Sequence, residues 1–185
     1  MPEAPTVNLP VLRRRFDEVR AMQKAVRGLL EKLELEAMKK SPWPSGRNLW
    51  ESLCFWLSYR GPFLNIVEGV PHATSGVINA PRHFTLEQAW HAWDETGERA
   101  DQIMATFTLE RWNGDVDFWI DREKTRRMKA WEVFLAHFAN RLEGDWTMML
   151  EDVCSMGHRE WLEGLIGHDW RFFREGEGLK DVYPQ

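Results

Sequence analysis

The stretch AHFANRLEGDW, residues 136–146, places His137, Arg141 and Asp145 four residues apart, on one side of a helix if the segment is helical. An imidazole and a carboxylate on neighbouring turns can hold a divalent cation, whereas an arginine next to the carboxylate forms an ion pair instead. Each residue of a helix advances about 100 degrees, and the apolar stripe of this segment centres on Leu135 and Leu142. On that wheel Asp145 falls about 60–70 degrees from the centre, toward the core. Arg141 falls at the boundary and His137 further toward solvent. An inward carboxylate must be paired, hydrogen-bonded or bound to a cation, and Arg141 is the nearest partner in sequence.

These residues need a scaffold, and the spacing of apolar residues supplies one. Leu12, Phe16, Val19, Val26, Leu29, Leu33 and Ala37 predict a first helix from about Leu9 to Met38, ended by the proline-containing loop SPWPSG, 41–46. Asn48 is a candidate cap for a second helix reaching Val67, broadly apolar and expected to kink or break at Gly61-Pro62. Residues 68–84 lose all periodicity and read as a long connection. Thr85 and Gln88 form a capping box that opens a third helix ending near Phe107.

Asn113-Gly114 signals a turn, and DVDFWID, 115–121, reads as a short extended piece. A fourth helix is expected over about Thr125 to Cys154, closed at Met156-Gly157, and a fifth, shorter one from about His158 to Arg174. The expected fold class is all-α. It is a four-helix bundle with a long crossover between helices 2 and 3, a short fifth C-terminal helix, and one domain over residues 1–185 whose ends, 1–8 and 175–185, are loose.

Composition narrows the function. A net charge of −5 argues against nucleic acid, which needs a basic face. No apolar run approaches the roughly 20 residues that span a bilayer, so no membrane role is expected, and the opening MPEAPTVNLP lacks the pattern of a secretory signal. Cys54 and Cys154 have no metal spacing and suit buried thiols of a cytoplasmic protein. Eleven tryptophans imply a strongly aromatic interior or cleft.

The layout resembles the DinB-like (DinB/YfiT) superfamily of bacterial four-helix bundles. Members bind a divalent metal through one histidine on the second helix and an HxxxH pair on the fourth. HFANRLEGDWTMML, 137–150, aligns with the latter string: His137 matches its leading histidine and Asn140 its asparagine. Arg141 and Asp145 then stand where the two ligand histidines belong. In GRNLWESLCFW, 46–56, Leu53 and Cys54 match the residues before the helix-2 ligand, and Phe55 takes the ligand's place.

A site that needs neutral imidazoles does not keep its metal with a permanent cation and a phenyl ring in their stead. The resemblance therefore implies a bundle in which an Arg141–Asp145 pair replaces the metal, with no cofactor and a cleft lined by Cys54, Phe55, Trp56, His137, Arg141 and Asp145. His137 and Asp145, with Cys54 and Glu51, are the alternative metal ligands, and Zn or Ni the alternative cofactor.

Two functional classes follow. One is a non-catalytic protein that binds a small molecule or pairs with a second copy as a homodimer. The other is the enzyme the resemblance implies, a metal-dependent transferase or isomerase using low-molecular-weight thiols. His168 on the last apolar stripe, His91 and His158 read as structural, and His72 and His83 as loop residues. Cys54 reads as inert, because apolar burial raises a thiol's pKa.

Overall fold

The computed structural model describes residues 6–40, 48–70, 84–119, 125–135, 153, 156 and 157. Among these, helix predominates, as an all-α class requires, with a single two-stranded sheet. The helices are α1 (Leu9–Leu30), α2 (Leu35–Lys40), α3 (Leu49–Val67), α4 (Leu86–Thr106), α5 (Leu109–Trp112) and α6 (Ala130–Val133); the strands are β1 (Asp115–Trp119) and β2 (Thr125–Lys129).

Both sequence-read caps form. The Asn48 Oδ1 accepts the Glu51 backbone N–H at 2.8 Å, and the Glu51 carboxylate returns the bond to the Asn48 N–H at 3.1 Å. Thr85 and Gln88 do the same at 3.2 and 2.9 Å. Each box satisfies two donors that a helix start otherwise orphans. Thr85→Ala is accordingly expected to cost about 1 kcal/mol in a urea melt.

The expected first helix is two. The chain turns between Leu30 and Leu35, where Lys32 N–H bonds Leu29 O and Leu33 N–H bonds Leu30 O, both at 3.1 Å. No helix breaker occupies 31–34. The tighter turn advances the phase by one residue, so Met38 is fully buried where the uninterrupted pattern pointed to Ala37. Tertiary burial outweighs a local helix preference of a few tenths of a kcal/mol per residue. Of the kink or break expected at Gly61-Pro62, the break does not occur: α3 continues through both residues to Val67. Proline has no N–H, so one α3 hydrogen bond is missing there, and burial along most of the helix holds it together.

The expected fourth helix is not helical at its start, α6 beginning only at Ala130; residues 136–152 and the expected fifth helix lie outside the described residues. Residues 125–129 are β2, antiparallel to β1 with Val116 opposite Met128 and Asp117 opposite Arg127. Asp115 collects Lys129 at 2.7 Å and Arg127 at 3.6 Å, a cross-strand charge arrangement that a helix at 125–129 would forgo. The Lys129 N–H then donates to the Glu132 carboxylate at 2.7 Å as the helix begins. The extended reading of 115–121 holds for β1. Asn113-Gly114 turns α5 into β1, with the Gly114 N–H on Arg111 O at 3.2 Å. Gly157 takes a φ of 90 degrees, a left-handed value that suits glycine.

The core is aromatic. Trp112 meets Phe107 at 4.9 Å and Phe134 at 5.2 Å, and Phe134 meets Phe16 of α1 at 5.5 Å. Along α3, Phe55, Tyr59 and Phe63 follow at four-residue spacing, and Phe63 stacks on Phe118 of β1 at 6.1 Å.

Candidate functional site

Cys54, Phe55 and Trp56 are consecutive on α3, so their side chains fan over about 200 degrees and cannot line one cleft equally. Cys54 is 1% exposed, and burial pushes its thiol above the ordinary range, with Glu51 adding to the shift and the Phe84 backbone opposing it. In a Cys154→Ser background, Cys54 is expected to react far more slowly with Ellman's reagent at pH 8 than after unfolding; equal rates would contradict burial. Because its folded pKa is raised, its contribution to stability is complete below the ordinary thiol range and is lost as pH rises through the folded value.

Phe55 is half-buried, edge-on to Tyr59 at 4.5 Å, and its ring has no donor for a metal. Trp56 is buried against Trp93 of α4 at 4.8 Å. His137, Arg141 and Asp145 lie outside the described residues. Among the described residues, no three His, Cys, Asp or Glu side chains cluster as metal ligands.

Trp56 leads to a cluster of a different kind. Arg60, one turn further along α3, is 1% exposed, with its guanidinium 4.3 Å from the Trp56 ring centre and 5.8 Å from that of Trp93. It donates to Oε1 of the fully buried Gln23 at 3.2 Å. The same oxygen accepts from Arg20 at 2.9 Å, and Arg20 reaches Asp101 with two bonds of 2.8 and 2.7 Å. One neutral amide oxygen thus joins two guanidiniums, and Asp101 closes the chain. Burial, then the Arg20 charge, pull Arg60 well below the usual arginine range, while Asp101 and Asp94 work against them. Since two cations hold Oε1, the Gln23 Nε2 faces away, and it finds no hydrogen-bond acceptor among the described residues.

Arg20 belongs to a ladder. Arg20 pairs with Asp101, and Arg27 with Asp94, so α1 and α4 run antiparallel and opposite positions have numbers adding to 121. Arg27 also holds Glu31 at 2.7 Å and lies 4.8 Å over Trp90. By the same register Lys24, between the two pairs, faces Gly97, so the middle of the ladder lacks a rung, and Gly28, just beyond them, faces Trp93.

A Cβ at Gly97 would lie 2.7 Å from the Arg20 Nη1, so the guanidinium lies against bare backbone. A Cβ at Gly28 would meet nothing within 4 Å. The result is an open groove of about 710 Å³ between the helices, with Trp93, Ala21 and Gly28 among its walls and Lys24 and Glu98 in the gap. If Gly97 seats Arg20, Arg20→Met should cost about 1 kcal/mol in the natural background and close to nothing in Gly97→Ala, as a double-mutant cycle would read.

Neither the cluster nor the groove was among the sequence-read candidates, though signals existed. Arg60 interrupts an apolar run in LCFWLSYRGPFL, and Arg20, Lys24, Arg27 and Asp94, Glu98, Asp101 share one 4-then-3 spacing with opposite charges. No protein-family model, curated protein or solved structure matches this chain.

Proposed function

We propose that this chain is a DinB-like four-helix bundle, with a long crossover between its second and third long helices, that has exchanged its metal for side-chain charge and binds a small organic molecule without catalysis. The observation that carries the binding reading is the α1/α4 groove. Its volume of about 710 Å³ lies within the roughly 300–1,000 Å³ typical of small-molecule sites. Ala21, Gly28 and the rim of the buried Trp93 give it an apolar wall, and its side-chain charges offer orientation.

The metal-free part rests on Phe55, which stands in the place of a ligand histidine and offers only carbon. Among the described residues only Val70 and Leu109 are exposed large apolar side chains, so it is the groove, and not an apolar patch, that carries the reading.

Ligand-observed NMR with a collection of aromatic fragments tests the reading. Fragments should bind the natural protein equally with and without a chelator, and Gly28→Leu, which fills the groove from α1, should abolish their binding. Binding that requires added Zn or Ni, or that survives Gly28→Leu, would contradict it.

A further inference from the structure

We propose that the groove is built for a zwitterion of the amino-acid class: Lys24 takes its carboxylate, Glu98 its ammonium, and the wall of Ala21, Gly28 and the rim of Trp93 its apolar side chain. This deepens the small-molecule reading and rests on it. The groove presents three cations, Arg20, Lys24 and Arg27, against four carboxylates, Glu31, Asp94, Glu98 and Asp101. Such near-balance suits a ligand carrying both signs better than a simple anion or cation.

The flanking charges are committed. Arg20 is held by Asp101, and Arg27 by Asp94 and Glu31. Lys24 and Glu98 are not: among the described residues neither side chain makes a hydrogen bond or an ion pair. They fail to pair because the position opposite Lys24 is Gly97, which has no side chain, and Glu98 is one residue out of register. The gap therefore holds one ammonium and one carboxylate, facing a space that the missing side chain of Gly28 leaves open beside Trp93.

The aromatic faces narrow the class further. Arg27 already covers Trp90, and Arg60 lies over Trp56 and Trp93. A ligand's cation therefore finds no bare ring of the kind that receives quaternary ammonium groups, and Glu98 is left as its partner. Its apolar part meets Ala21, the open side of Gly28 and the rim of Trp93.

Calorimetric titration of the full chain with phenylalanine, N-acetylphenylalanine, phenylalaninamide and indole tests this. Phenylalanine should bind saturably, and each analogue that lacks one charge about fivefold more weakly, the size of an exposed charge pair. Lys24→Met and Glu98→Gln, both at exposed positions and checked for folding by circular dichroism, should each weaken phenylalanine by the same factor. Lys24→Met should leave phenylalaninamide unaffected, since that probe has no carboxylate to lose.

Indole binding as tightly as phenylalanine, and lost in Gly28→Leu, would overturn the zwitterion while leaving the groove as a site. Equal binding of phenylalanine and its two analogues would overturn it likewise. No saturable binding of any probe to folded protein would overturn the zwitterion and the groove together.

Discussion

Gln23→Leu is expected to destabilise the protein by roughly 2–4 kcal/mol. The leucine fills a similar volume, so little of that loss comes from packing. It comes from removing the one oxygen that accepts from both Arg20 and Arg60. Arg20 is partly exposed and keeps its two bonds to Asp101, so it loses least. Arg60 is buried, and a buried cation that loses an acceptor bears much of the desolvation penalty that the bond had offset.

The double variant identifies the cause. Adding Arg60→Met to Gln23→Leu removes the charge that needed the acceptor, so the two losses should fall short of additivity by at least about 1 kcal/mol. Urea unfolding of the two single variants and the double variant measures this. Strict additivity would mean that Gln23 does not support Arg60.

Trp56→Ala should cost about 3–5 kcal/mol, the usual range for a large aromatic cut from a core. Two losses combine here. The side chain is 1% exposed and packs on Trp93, so truncation opens a cavity in the α3/α4 interface. It also removes the ring that lies closest over the Arg60 guanidinium. Trp56→Phe keeps a ring at that place and should recover more than half of the loss. Equal losses for alanine and phenylalanine would mean that the indole's full shape, rather than a ring over Arg60, is what matters.

Much of the helical frame was legible before any coordinates, and its failures have definite causes. Asn48 and Thr85 were readable as caps because a capping box is local: residue types three apart decide it. The break between α1 and α2 was not readable, since Glu31, Lys32, Leu33 and Glu34 are all compatible with helix. Only burial of Met38 against the rest of the core selects the turn. β2 was missed for a similar reason. Met128 fits a helical stripe that continues through Trp131 and Leu135, and what makes 125–129 a strand is β1, with Asp115 collecting Arg127 and Lys129.

The site was less legible than the frame. His137, Arg141 and Asp145 drew attention as a chemically suggestive string, yet they lie outside the described residues. Of the α3 candidates, Trp56 faces the buried charges, while Cys54 and Phe55 point elsewhere. The groove depends on two helices far apart in sequence whose charged rows face each other, and on Gly28 and Gly97 lying between those rows. Each row alone is an ordinary solvated helix face. Only the antiparallel register makes them one feature.

The metal content of the protein, purified without a histidine tag or chelator and measured by plasma mass spectrometry, tests the proposed exchange of metal for side-chain charge. Far less than one equivalent of Zn, Ni or Fe is expected, and no stable uptake after incubation with each ion and gel filtration. Near-unit occupancy that survives gel filtration would contradict the exchange of metal for side-chain charge and return the thiol-dependent transferase reading to the front.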